Sequence, residues 1–208
     1  MDNPVPNLLL LGAGGHACVV ADAALRQGAW TAVAASGADA AASGDLLPGV
    51  PQRARAAALA AHGVQPVHVA IGDNAARRRE ALALPEGRLV SVVHPQASVS
   101  PHAQVAPGCF IGAQAVVAPR AALSVGVIVN HGAVVDHDCQ IGAFAHIAPG
   151  ASLAGGVRVG EGVLVGAGAR LLPGVSVCAG ATIGAGTVVT ENIAEPGTYA
   201  GVPARRLS

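Results

Sequence analysis

The sequence predicts a small α/β domain over residues 1–96 followed by a parallel β-helix over residues 97–208. Three observations carry this reading. An unbroken six-residue repeat runs from Ser98 to Ile193, and the second position of every repeat is Val, Leu or Ile. A fixed period this short builds a β-helix, one short strand and one turn per repeat, with the aliphatic side chain pointing inward. Ahead of it, the apolar run Asn7–Leu11 leads into Gly12-Ala13-Gly14-Gly15-His16 and then a helical stretch, the opening of a nucleotide-binding βαβ unit. Between the two parts, His94-Pro95 breaks the last apolar run of the first.

Taken in order, NLLLL suits a buried parallel strand. The glycines after it let backbone approach a phosphate. The helix read over Ala17–Gln27 would present free N–H groups and a positive dipole end there. GAGGH is not the GxGxxG fingerprint, however. The second strand, Trp30–Ala35, runs into Ser36-Gly37-Ala38-Asp39 with no acid at its tip to hold a ribose, which argues against NAD. Ala38–Val64 is Ala-rich with one helix around Arg53–Ala61. Pro66–Ile71 reads as a third strand. It ends in Gly72-Asp73-Asn74, where Gly72 opens the sheet edge that binds ligands in α/β proteins and Asp73 caps a helix over Asn74–Leu84. Arg77, Arg78 and Arg79 read as a solvated face of that helix, and Arg88–Val93 as a fourth strand.

In the repeat domain three sixes make one triangular coil, so sixteen repeats give a little over five coils. The fourth and fifth positions, rich in Gly, Pro and Ala, form the corners. From Glu195 the chain leaves the repeat, with Pro and Gly where it must turn back.

Composition narrows the function classes. The chain is 52% hydrophobic but only 2% aromatic, which fits a narrow core of small aliphatic layers. Formal net charge is zero and no basic run occurs, so nucleic acid is not an expected partner. No apolar run approaches a membrane span, and Met1–Leu11 does not read as a signal peptide. Cys18, Cys109, Cys139 and Cys178 show no CxxC pairing and read as reduced, mostly buried residues of a cytoplasmic protein.

The repeat breaks its own rule between Asn130 and His146. Its corners there carry Asn130, His131, Asp136, His137 and Asp138, with His146 opening a strand shortly after. Local violation of a sequence's own pattern is where function is expected. His137 lies between two carboxylates. One of them bonded to a ring nitrogen would fix the tautomer and raise the basicity of the other nitrogen, which makes a general base. The rival chemistry is a metal: His131, His137 and His146 together are the residue types of a three-histidine zinc site, as in the gamma-class carbonic anhydrases. His131 and His137 occupy successive corners and His146 a face, so one ion would need contacts across subunits. No metal ligands are assigned.

These residues carry a family resemblance. The repeat resembles the hexapeptide-repeat acyltransferases, which form left-handed β-helices and assemble as trimers, and GTYAGVPARRL is similar to their terminal segment. GAGGH, IGDN and IVNHGAVVDHDCQIGAFAHIAPGA together resemble the bacterial nucleotide-sugar N-acetyltransferases of the PglD/NeuD type over essentially the whole chain. The resemblance implies a Rossmann-like nucleotide-sugar-binding domain, a left-handed β-helix, and an active site between subunits of a homotrimer. It implies transfer of an acetyl group from acetyl-CoA to the amino group of a nucleotide-linked amino sugar. His137 would be the base and Asp138 its acidic partner. Asn130, His146, Gly155, Ala167 and Ala185 would contact acetyl-CoA, and Gly14, Gly15, His16 and Gly72 would hold the sugar nucleotide. Relatives carry acidic residues after the second strand that contact the base. This chain has Ala34-Ala35-Ser36-Gly37, which leaves the nucleotide open. Sugar O-acetylation and a zinc-dependent hydratase on the same scaffold stay as alternatives.

Overall fold

A computed structural model describes residues 7–30, 33–37, 44–63 and 65–207. The chain divides into two compact units, Met1–Pro95 and Gln96–Ser208. Among the described residues no helix is long and apolar enough to cross a membrane.

The first unit is built on β1 (Leu8–Leu11), whose four leucines are all buried. It pairs in parallel with β2 (Val33–Gly37) on one side and β5 (Val67–Val69) on the other. This central position explains the absence of alternation: both faces of β1 are covered. α1 (Gly15–Gln27) follows β1, α2 (Arg55–His62) precedes β5, and α3 (Asn74–Leu82) follows it. α1 starts two residues earlier than its sequence pattern, so Gly15 and His16 lie in its first turn and Gly14 is the N-cap.

Three expectations need correction. The Ala-rich stretch contains a β-hairpin, β3 (Asp45–Leu47) and β4 (Val50–Ala54), and β4 adds to the sheet beside β2. Pro48, Gly49 and Pro51 hide it from a pattern search, because prolines normally mark strand ends or turns. The second strand runs past Ala35 to Gly37; Thr31, Ala32, Ala38 and Asp39 lie outside the described residues. Arg88–Val93 is not one strand: Leu89 bridges Val67, and Val92–Val93 is a separate short strand.

The second unit is a left-handed β-helix. Each repeat contributes a two-residue strand from its first two positions, and strands eighteen residues apart pair in parallel, as in Val116↔Val134 and Val117↔Val135. Three flat faces result. One runs from Ser98–Val99 to Val188–Val189, one from Gln104–Val105 to Ser176–Val177, and one from Phe110–Ile111 to Thr182–Ile183. The second-position aliphatics are buried from Ile111 to Val189, while Val99 and Val105 in the first coil are half-buried.

The sixth position also points inward, which the aliphatic pattern did not disclose. Cys109, Ala115, Ala121, Val127, Ala133, Cys139, Ala145 and their successors are buried. Small apolar side chains, mostly Ala and Val, fill these sites, with Thr187 and Ile193 in the last coil. The tail first extends the third face, with Thr198–Ala200 parallel to Thr182–Ile183, and then reverses so that Tyr199 opposes Arg206.

Candidate active site

In the first unit the loop after β1 is shaped by backbone proximity. Gly12 has φ 137° and its N–H donates to the Ser36 carbonyl at 2.8 Å. A Cβ at Gly12 would overlap the carbonyl oxygen of Ala70, so only glycine lets β1 leave the sheet this close to β5. Gly14 and Gly15 face open space, and the first turn of α1 carries no acidic residue. A cavity of about 430 Å³ opens here and brings Gly14, Gly15, His16 and Gly72 together. That size suits a small molecule, and a helix N-terminus beside it favours an anion.

The second loop of this cavity is held from below. Asp73 caps α3, accepting the Ala76 N–H at 2.7 Å, as its sequence position predicts. Arg77, in contrast, is not on a solvated face. It is 1% exposed, and its guanidinium donates to the carbonyls of Ile71 and Gly72, both at 3.0 Å, and to Asn74 Oδ1 at 2.8 Å. Arg79 lines the cavity together with an Arg55–Glu80 ion pair, and both Arg78 and Arg79 are exposed as the sequence predicts. Helix spacing could have singled out Arg77, which lies one turn from the capping Asp73 and so turns back toward the loop.

In the second unit His137 sits at a corner of the β-helix. Its Nδ1 donates to Asp138 Oδ2 at 2.7 Å, which leaves Nε2 with a free lone pair. Asp136 does a different job: its Oδ1 accepts the backbone N–H of His137 at 2.7 Å and caps the turn. Asp138 occupies the left-handed region, φ 61°, a conformation that Asp tolerates better than most residues. It is held by a partner the sequence reading missed. Arg120, one coil earlier at the same corner, donates from Nε to Oδ1 at 2.6 Å and from a terminal nitrogen to Oδ2 at 2.7 Å. The Arg120 guanidinium first, and then the His137 ring, hold the Asp138 carboxyl well below the usual carboxylate range. The eighteen-residue coil is the signal that would have found Arg120: it stands one coil before Asp138 at the fifth position, where glycine predominates.

One coil later the same corner carries Gly155. A Cβ there would lie 2.5 Å from His137 Cε1 and 2.6 Å from Nε2, so glycine is what leaves the basic edge of the ring unobstructed. Burial pushes the nearby Cys139 thiol up, and its Sγ donates to the Ala154 carbonyl at 3.2 Å. It therefore has the character of a packed core residue and not of an activated nucleophile.

The expected acetyl-CoA contacts do not gather in one place within a chain. Asn130 and His146 meet, Nδ2 to Nε2 at 3.1 Å. Asn130 Oδ1 accepts the His131 N–H at 2.9 Å, which fixes the amide orientation, so its nitrogen faces His146. The ring proton of His146 therefore sits on Nδ1. Ala167 and Ala185 stack along this same corner above His131 and Pro149, linked by Gly150 N–H to His131 O, Gly168 N–H to Pro149 O and Gly186 N–H to Ala167 O. Gly155 belongs instead to the His137 corner. The two corners bound the face formed by Val134–Val135, Ser152–Leu153 and Arg170–Leu171. His131, His137 and His146 are likewise spread over two corners and a strand. Among the described residues no three His, Cys, Asp or Glu side chains of one chain group closely enough to hold a metal ion.

Comparison with known proteins sets these features in a family. Residues 7–83 match the PglD N-terminal domain, and residues 156–191 match the bacterial transferase hexapeptide repeat. The chain is 38% identical to the acetyltransferase domain of PglB from Neisseria gonorrhoeae FA1090, covering 97% of this chain and 100% of that one, with a TM-score of 0.89. That domain has also been solved in complex with acetyl coenzyme A. The chain is 35% identical to PerB from Caulobacter crescentus, solved with CoA and GDP-perosamine, over 100% of both chains with a TM-score of 0.90. No match was found among curated proteins. The chain belongs to the PglD-type sugar N-acetyltransferases, a family of acetyl-CoA-dependent enzymes built on an α/β domain and a hexapeptide-repeat β-helix.

Proposed function

We propose that this enzyme transfers the acetyl group of acetyl-CoA to the amino group of a nucleotide-linked amino sugar, with His137 as general base. The observation that carries the reading is the 2.7 Å contact between His137 Nδ1 and Asp138, which leaves Nε2 as an acceptor beside the opening at Gly155. An alkyl amine is mostly protonated near neutral pH and must lose a proton before it can attack. Nε2 takes that proton, the amine nitrogen bonds to the thioester carbonyl carbon, and as the C–S bond breaks the nitrogen's second proton passes to the departing sulfur, so that coenzyme A leaves as the thiol. Asp138 orients the ring and stabilises the imidazolium that forms. A backbone N–H of a neighbouring coil would serve the tetrahedral oxyanion, because a stiff β-helix holds such a donor in place. No acyl-enzyme is needed, in keeping with the buried, protonated state favoured at Cys139.

The acceptor class is supported by the glycine-lined cavity of residues 1–96 and by the GDP-perosamine bound to PerB. Acetyl-CoA would lie against Asn130, His146, Gly155, Ala167 and Ala185. Since these residues divide between two corners of one chain, the groove is completed by pairing the His137 corner of one subunit with the His131 corner of another. A homotrimer closes such a heterologous interface. Light scattering of the purified enzyme should give three chains per particle, and a monomer at working concentration would overturn that assembly.

Coenzyme A release measured against UDP-, GDP- and dTDP-linked amino sugars tests the activity. Release with one nucleotide class, and acetamido product by mass spectrometry, is expected. Release only with hydroxyl acceptors, or with no sugar nucleotide, would contradict the proposal.

A further inference from the structure

We infer that Arg120 is a positioning residue for the base, the third member of an Arg120–Asp138–His137 chain. It spans two coils of the β-helix and reaches His137 only through Asp138. The inference rests on the reading of His137 as general base. Arg120 and Asp138 are stacked at the same corner and share an unusual backbone. Both lie in the left-handed region, φ 62° and 61°, where most repeats place glycine. The Asp138 N–H donates to Pro119 O at 3.3 Å, so the two turns are also tied through their backbones. A non-glycine residue in this region is strained, and the strain recurs at adjacent coils. What the two residues gain in return is a forked contact, one guanidinium N–H on each carboxylate oxygen.

The geometry explains why one hydrogen bond to the carboxylate would not suffice. Asp138 can rotate about its side-chain bonds, and Oδ2 must stay at Nδ1 for the ring to present Nε2. The planar fork of arginine fixes the carboxylate plane, which a lysine ammonium does not. Its cation also offsets part of the carboxylate charge felt by an imidazolium. The charged and titratable groups facing His137 are Asp136 and Asp138 in its own turn and Arg120 from the coil before. His102 stands one coil earlier still, with its carbonyl accepting the Arg120 N–H at 3.1 Å. The following coil places Gly155 and Gly156 at the corner, with Arg158 two residues beyond on the strand that pairs with Gln140. Among the described residues of one chain, Arg120 is the cation bonded to Asp138.

Arg120→Gly tests this without endangering the fold, since glycine is the usual occupant of the position. In the parent the imidazole ¹⁵N shifts of His137 should report a single tautomer with the proton on Nδ1. In the variant they should report a mixture. At saturating substrates kcat should fall about 10-fold, the low end of the range for losing the direct partner of a functional histidine, because Asp138 itself remains, with both KM values within about twofold of the parent. The acid limb of the kcat/KM profile should move to higher pH, because the cation that opposes an imidazolium at this corner is gone. Arg120→Lys separates charge from geometry: the limb should return to its parent position while kcat stays low. An unchanged tautomer and unchanged kcat in Arg120→Gly would overturn the inference. A shifted tautomer together with full activity in His137→Ala would leave the Arg120 coupling standing and remove the general-base reading instead.

Discussion

The turns at His131 and His137 are one repeat apart and share a backbone. In each, a third-position side chain, Asn130 or Asp136, caps the histidine's own N–H. In each, the histidine carbonyl accepts the N–H of a glycine in the next coil, Gly150 or Gly156, at 2.9 Å. They diverge at three side-chain positions. Where the second turn has Asp138, the first has Gly132; where the coil before supplies Arg120, the first has Gln114; where the coil after supplies Gly155, the first has Pro149. His131 thus has a proline above it and no carboxylate on the residue that follows, while His137 has an oriented partner and an open edge. The β-helix provides a uniform mount, and the chemistry comes from which residues replace glycine and which glycine is kept.

Exchanging features between the turns tests this contrast. The largest effect short of removing the histidine is expected for Gly155→Ala, because its methyl group would fall on the ring edge proposed to accept the proton. Its kcat should drop by about 10²-fold or more, the scale of general-base loss, and a parent-like rate would show that Nε2 is not the working atom. Asp138→Asn should lose on the order of 10- to 100-fold, as outer partners of functional histidines do.

Asp138→Gly converts the second turn into a copy of the first, and here activity and stability should part. Relief of the left-handed conformation offsets the loss of a solvent-exposed ion pair, which contributes little to stability. Thermal unfolding should therefore occur no lower than in the parent while turnover falls. A lower midpoint would mean that the Arg120 pair is structural. The smallest effect on kcat is expected at His131→Ala, within about threefold for the assembled enzyme, since no carboxylate orients this ring as a proton acceptor; its corner lies on the proposed subunit contact, so a loss there should appear in the KM for acetyl-CoA or in assembly. A loss matching that of His137 would erase the distinction between the corners.

How much of this was legible in the sequence depended on whether a rule was periodic along the chain or only in space. The second-position aliphatics gave the β-helix because one residue class recurs at each inward strand site. The sixth position is buried from Cys109 onward, yet its occupants are mostly Ala and Val, and alanine is so common elsewhere in this chain that the position does not stand out. His137 and Asp138 stood out as departures from the corner rule. Arg120 did not, because its partner is eighteen residues away and the link appears only when the repeats are folded in threes. In the first unit the buried leucines of β1 announced a central strand, whereas the hairpin at Asp45–Ala54 was masked by the prolines it tolerates. Arg77 looked like one of three solvated arginines because sequence adjacency says nothing about which side of a helix turns inward.

We propose that the His137 corner performs the proton transfer in acetylation of a nucleotide-linked amino sugar. The most direct measurement is turnover of His137→Ala with saturating acetyl-CoA and the accepted sugar nucleotide, on protein shown by circular dichroism and light scattering to be folded and assembled as the parent. Loss of about 10²–10⁴-fold in kcat, the range for a removed general base, with KM for both substrates little changed, is the predicted result. Turnover within a few fold of the parent would contradict the claim.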